Sequence, residues 1–179
     1  MDSIAFEGFP KIGRLSRECT ITEKIDGTNA QILITNTGEL AAASRTRLIT
    51  PEDDNFGFAR WVQLHRDDLL ALGPGRHFGE WWGAGIQRKY GQTEKRFSLF
   101  NTGRWNAANI PSCCDVVPVL FNGLFTTEVV ESTIELLRGF GSMAAPGFMQ
   151  PEGVVVFHTA TNTLFKKTLD NDEAPKGRQ

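Results

Sequence analysis

The sequence predicts an α+β fold of mostly antiparallel strands, on three observations. Short runs that alternate apolar and polar residues are separated by turn signals such as Asp26-Gly27 and Asn36-Thr37-Gly38, the pattern of paired strands. Only two segments, 58–72 and 127–138, repeat apolar residues at three- and four-residue steps, so helices are few. A chain of 179 residues that is 40% hydrophobic can fill one substantial core, and nothing in its composition divides it in two.

Charge and cysteine usage narrow the function classes. A net charge of -2 argues against nonspecific wrapping of long nucleic acid and leaves room for a local basic face. Cys113 and Cys114 are adjacent and Cys19 is remote, which fits neither a zinc spacing nor a disulfide framework and suits a reducing compartment. No stretch reaches the ~18 apolar residues of a membrane span, and the first residues lack an export signal. The expectation is a cytoplasmic protein with no membrane partner.

Taken in order, Ile4 to Phe9 is a short aromatic-rich segment ending at Pro10, and Lys11, Arg14 and Arg17 give the loop after it a basic edge. Cys19 to Lys24 alternates like a half-buried strand, Asp26-Gly27 turns the chain, and Asn29 to Thr35 returns as a second strand. Lys24 therefore stands at a strand end facing a tight corner, and it is the candidate nucleophile. An amine attacks only when neutral, and free lysine titrates near ~10.4, so the site must lower that value by desolvation or by nearby positive charge, for which Lys166 and Lys167 are candidates. Gly27 lets backbone approach a ligand, and Asn29 offers a donor and an acceptor suited to a ribose hydroxyl. The plain alternative is a hairpin carrying an exposed Lys-Asp pair.

Glu39 to Ala43 is the next strand, and it delivers Ser44-Arg45-Thr46-Arg47. After an acidic loop, Phe58, Trp61, Val62, His65, Leu69 and Leu72 mark an amphipathic helix, capped by Asn55 and ended by Gly73-Pro74-Gly75. Trp61 and His65 are expected to pack in the core. Arg76 to Trp82 reads as a strand in which Glu80 interrupts an aromatic run. A buried unpaired carboxylate is costly, so Glu80 calls for a lysine, a ribose hydroxyl or a metal as partner. In the strand Arg96 to Asn101, Phe97 and Phe100 fall on opposite faces and one of them must be core.

Trp105 to Asp115 is loop. Val116 to Phe121 is a strand interrupted by Pro118, hence an edge or a bulge, and Asn122-Gly123 is expected to turn it. Thr126 or Thr127 caps a helix through Arg138, with Val130, Ile134 and Leu137 inward and Gly139 as its stop. Pro151 to Phe157 carries three consecutive valines, the mark of a buried central strand, with Glu152 at its mouth. Thr163 to Thr168 returns with Lys166 and Lys167, and the polar tail from Asp170 is expected to fray. No nucleophile elbow, H-E-x-x-H or Walker loop is present.

The octet Thr22 to Asn29, TEKIDGTN, resembles the adenylation motif of the covalent nucleotidyltransferases. Its Gly-Thr-Asn ending is similar to the RNA ligase branch, close to the phage double-strand RNA ligase family. The resemblance runs from Glu23 through Lys167 and includes HFGEWWGAGIQRKYG, RFSLFN, PEGVVV and LFKKT. It implies a nucleotidyltransferase (ATP-grasp-like ligase) fold whose sheets form a nucleotide cleft with flanking helices. It also implies ATP-dependent RNA ligation: AMP becomes covalently bound to Lys24 with the help of Mg2+ or Mn2+, passes to an RNA 5'-phosphate, and is displaced by a 3'-hydroxyl. By the same resemblance Glu23, Asn29, Arg45, Glu80, Phe100, Lys166 and Lys167 contact the nucleotide, with Arg47 the spare for Arg45. Glu152 and Glu80 serve the metal, and Gln87 lies on the RNA side.

Two departures leave choices open. Asn101 stands where relatives write Asp beside the stacking ring, so Phe97 remains an alternative to Phe100. The lysines are adjacent where relatives separate them by one residue, so the division between Lys166 and Lys167 is open. Residues 1–179 are expected to form a single minimal nucleotidyltransferase domain with no C-terminal oligonucleotide-fold or helical domain, which leaves room for a helper protein. A viral source would place the protein in the host cytoplasm. The alternatives are a DNA nick ligase or capping-type enzyme, and a noncatalytic RNA- or nucleotide-binding module.

Overall fold

Two sheets joined at the Asp26-Gly27 turn make the frame, seen in a computed structural model that describes residues 5–170 and 172. The tail expected to fray lies largely outside the described residues. In chain order the strands are β1 (Glu18–Lys24), β2 (Thr28–Ile34), β3 (Leu40–Ser44), β4 (Leu48–Ile49), β5 (Gly75–Gly83), β6 (Lys95–Leu99), β7 (Asp115–Val116), β8 (Val119–Leu124), β9 (Gly153–His158) and β10 (Thr163–Thr168). The helices are α1 (Phe58–Leu64), α2 (Arg66–Leu69) and α3 (Thr127–Phe140). One sheet orders β10-β9-β1-β8 and the other β4-β3-β2-β5-β6-β7. Their pairings are antiparallel except for β6 with β7. The α+β class read from the sequence is the class observed.

The expected turn at Asp26-Gly27 exists, but β1 and β2 do not pair with each other. β1 lies between β8 and β9 in the smaller sheet, and β2 lies between β3 and β5 in the larger. The turn thus carries the chain from one sheet to the other. Gly27 permits this by pressing its backbone onto β5: a Cβ there would meet Trp81 O at 2.4 Å and Trp82 Cβ at 2.7 Å. The hairpin with an exposed Lys-Asp pair is thereby excluded.

A second crossing replaces the interrupted strand expected around Pro118. Asp115–Val116 finishes the larger sheet and Val119–Leu124 starts afresh in the smaller one. Pro118 cannot donate to a ladder, but its carbonyl accepts from Glu23 N at 2.9 Å, beside a register shift between Ile21 and Thr22. Asn122-Gly123 lies within β8 and does not turn it.

The first predicted helix is broken. His65 leaves the helical region (φ -106°, ψ 21°), and its Nδ1 sits 2.9 Å from Trp61 O, so the chain restarts as α2 and a 3₁₀ turn, Leu70–Leu72. Its N-terminus is held by Asp54, not by the side chain of Asn55: Asp54 accepts from Ala59 N at 2.7 Å and Arg60 N at 3.1 Å. Helix α3 is capped by Thr126 Oγ1, which accepts from Val129 N at 3.2 Å, and it runs past Gly139 to end at Gly141.

Three apolar clusters follow from this layout. Ile32, Phe58, Val62, Trp81, Phe97 and Leu99 fill the space between the larger sheet and α1. Ile21, Val154, Val156, Ile134 and Leu137 fill that between the smaller sheet and α3. Ile25, Trp82, Tyr90, Val117 and Ala145 pack where the sheets join. Among the described residues no helix is long and apolar enough to cross a membrane.

Candidate active site

Register decides which side chains of the smaller sheet share a face, because residues directly opposite one another point the same way. Lys24 lies opposite Gly153, and Gly153 opposite Thr168. Thr22 lies opposite Val155, and Val155 opposite Lys166. Alternation therefore puts Lys24, Val155 and Lys166 on one face. Glu23, Val154 and Lys167 form the row between them and point to the other face, where α3 packs.

That division corrects two placements. Lys167, expected at the nucleotide, faces α3 and pairs its Nζ with Glu131 Oε1 at 3.0 Å and Asp172 Oδ2 at 3.6 Å. The Glu23 carboxylate, expected at the nucleotide as well, is 1% exposed. It accepts from Ser142 Oγ at 2.6 Å, Met143 N at 2.8 Å and Ala144 N at 2.9 Å. Burial pushes the Glu23 carboxyl up, and these three donors oppose the shift.

Lys24 Nζ meets Glu152 Oε2 at 2.6 Å, with side chains 22% and 6% exposed. A second carboxylate comes from β5: Glu80 Oε1 accepts from Gly27 N at 3.1 Å. Burial pushes the Glu80 carboxyl up to about 7; the charges of Glu152 and Asp26 add to the rise, while Lys24 and the Gly27 N–H oppose it. One amine and two acids from three separated stretches thus act on one another. Asp26 itself is held by Arg88, whose Nε lies 3.1 Å from Asp26 Oδ2. Asp26 N donates to Tyr90 Oη at 2.9 Å.

On the larger sheet, Asn29 is opposite Glu80 and Glu80 opposite Ser98, so all three share the face turned from α1. The two rings differ in packing. Phe97 is fully buried against Phe58 and Trp61. Phe100 continues the Ser98 face at 38% exposure, and its N–H donates to Phe78 O at 3.0 Å. Phe78, opposite Gln31, is a further exposed ring on that face. Arg45 is exposed and makes no hydrogen bond or ion pair among the described residues, whereas Arg47 is engaged by Asp53. Gln87 is exposed with φ 41°. His65 rests on Trp61, His77 Nε2 is 2.9 Å from Gly73 O, and His158 Nε2 is 2.7 Å from Leu15 O, so the histidines pack.

No group of three or more His, Cys, Asp or Glu side chains among the described residues is arranged to hold a metal ion. Glu152 and Glu80 supply two carboxylates, which suits a magnesium-type ion that completes its shell with water and substrate phosphates.

The model of the RNA ligase family matches residues 17–168. The chain belongs to that family. Solved structures with the same fold include mutants of the RNA ligase of Naegleria gruberi. An apo mutant superposes with a TM-score of 0.60 at 16% identity, covering 86% of this chain and 50% of that one. A mutant with AMP and manganese gives 0.58 at 15% identity, with coverage of 86% and 50%. A third, with ATP and manganese, gives 0.57 at 16% identity, again covering 86% and 50%. At such identities the likeness is one of fold, and this RNA ligase family chain spans about half the length of those structures. No curated protein sequence matches significantly.

Sequence reasoning passed over Phe78, the Arg88–Asp26–Tyr90 group and the Ser142–Ala144 loop. The period-2 rule was available for Phe78, two residues before Glu80. The others meet their partners from 62 or more residues away, and no local pattern announces them.

Proposed function

We propose that this member of the RNA ligase family is an ATP-dependent RNA ligase that works through a covalent lysyl-AMP, with Lys24 as the nucleophile. What carries the reading is the contact of Lys24 Nζ with Glu152 at 2.6 Å, beside Glu80 and on the sheet face that also bears Lys166. Lys24 releases its ammonium proton to solvent, leaves Glu152 as a neutral amine and attacks the α-phosphorus of ATP in line. The N–P bond forms, the bond to the β-phosphate oxygen breaks, and pyrophosphate departs. An RNA 5'-phosphate oxygen then takes the adenylyl group, restoring Lys24, and an RNA 3'-hydroxyl attacks that phosphate and expels AMP.

The chain's residues act mainly by position and charge, which is what phosphoryl chemistry of this kind asks of a protein. Lys166 and Arg45 offer cationic donors to the phosphates, and a guanidinium suits forked contact with them. Asn29 and Glu80 face the ribose, Phe100 offers a flat ring to the base, and Gln87 lies toward the RNA. Glu152 and Glu80 would hold Mg2+ or Mn2+, whose charge when bound offsets that of the phosphates.

Incubation with α-labelled ATP and magnesium should label the protein in a denaturing gel, and Lys24→Ala should abolish the label. Chase with 5'-phosphorylated RNA should move the label to RNA, RNA should be sealed faster than a DNA nick, and sealing of a nicked duplex, a broken loop and a single strand side by side identifies the RNA it joins. Unlabelled wild type with both magnesium and manganese would instead support a noncatalytic binding module.

A further inference from the structure

The backbone ladder between the nucleophile strand and the strand that follows Glu152 stops at Lys24 opposite Gly153. Beyond it two segments run on: Lys24 to Asp26 on one side, and Gln150 to Glu152 on the other. Two side-chain links join them. One is Lys24 with Glu152. The other is Arg88, whose Nε bonds Asp26 Oδ2 at 3.1 Å while its Nη1 donates to Gln150 O at 3.0 Å. Each residue of the second link is two positions from its counterpart in the first.

The loop that presents Arg88 is built at a conformational cost. Gln87, Lys89 and Tyr90 have φ of 41°, 61° and 50°, a region that side chains with a Cβ seldom occupy. Ile86 and Tyr90, both buried, pin the loop on either side. Tyr90 rests on Phe148 with ring centroids 4.6 Å apart, and its hydroxyl accepts from Asp26 N. Arg88 also occupies the Asp26 carboxylate, the nearest acid in sequence to Lys24, and so keeps it from competing with Glu152 for the amine.

We propose that Arg88 is a positioning residue for lysine adenylylation, holding the Lys24 and Glu152 segments in register where the sheet no longer does so. This rests on the lysyl-AMP reading above and deepens it. A planar fork is required, because one group must reach a carboxylate and a carbonyl on different segments. Half-exposure of the Arg88 side chain, at 31%, makes substitution tolerable to the fold.

The test is the single-turnover rate of lysyl-AMP formation by the full chain with α-labelled ATP and magnesium, alongside the thermal midpoint. Arg88→Gln should slow the rate at saturating ATP on the order of 10-fold to 100-fold, the cost of small misplacement, with the half-saturating ATP concentration unchanged. Arg88→Lys, which keeps the charge and loses the fork, should recover only part of the rate at a wild-type midpoint. A wild-type rate in Arg88→Gln overturns the proposal, as does a defect confined to half-saturating ATP. Should Arg88→Gln fail to fold, Arg88→Lys decides: slowed and folded supports the proposal, wild-type rate overturns it. A wild type that takes no label overturns the lysyl-AMP reading itself, which a labelled wild type with unaffected variants does not.

Discussion

The two faces of the smaller sheet are made from the same strands and do opposite things with polar residues. On the open face stand Lys24 and Lys166, with half-buried Val155 directly opposite Lys166. On the closed face Glu23 and Lys167, their immediate neighbours in sequence, are bound to protein: Glu23 to the Ser142–Ala144 loop and Lys167 to Glu131. One residue of displacement along a strand thus changes a side chain from candidate chemistry to architecture.

Loss of the carboxylate on the closed face and loss of the amine on the open face should have opposite consequences. Glu23→Ala should leave a buried hydroxyl and two backbone N–H groups without acceptors, at about 1–3 kcal/mol for each unsatisfied group, and lower the thermal midpoint severely. Lys24→Ala should abolish adenylylation while moving the midpoint far less. Differential scanning calorimetry beside the labelling gel reads both, and a stable, folded Glu23→Ala would contradict the division.

Next in size is the lysine pair. Lys166→Ala should slow adenylylation on the order of 10-fold or more, as loss of one electrostatic partner at a reacting phosphate does, without loss of stability. Lys167→Ala should leave the rate alone. Its exposed links to Glu131 and Asp172 should contribute about 0–1 kcal/mol, measurable by urea denaturation and screened by salt. Equal catalytic defects in the two variants would erase the distinction between the faces.

A smaller effect concerns pH. The Glu80 carboxyl is pushed up from 4.5 to about 7 in the fold, so its protonated form is favoured there. Its contribution to stability is then fully present below pH 4.5 and lost as pH rises through about 7. Glu80→Gln keeps a neutral side chain at every pH, so the ligand-free variant should gain stability relative to wild type between those values. Thermal midpoints across that range check this, and parallel curves would contradict it.

Much of the frame was legible because local pattern and tertiary outcome agree. Alternation placed β1, the run of three valines placed β9, and the spacing of Ile134 and Leu137 placed the buried stripe of α3. Alternation also implied that Glu23 cannot face the way Lys24 does, yet motif likeness alone assigns both to the nucleotide. What stayed hidden depends on partners distant in sequence. A turn signal such as Asp26-Gly27 says that the chain bends and not which strands it will join, so the passage between sheets was invisible, as it was at Pro118. The break at His65 was masked because its apolar spacing continues straight through to Leu69 and Leu72. In the site, Lys24, Glu80, Glu152 and Lys166 were marked by motif, while Arg88 and Tyr90 became visible only once the fold brought them to Asp26.

The most direct measurement is peptide mapping by mass spectrometry after incubation of the wild-type chain with ATP and magnesium, under neutral conditions that preserve a phosphoramidate. One AMP moiety on the peptide at Lys24, lost when RNA bearing a 5'-phosphate is added, is the predicted result. An adduct on any other side chain, or an unmodified Lys24 peptide while RNA is being sealed, would contradict it.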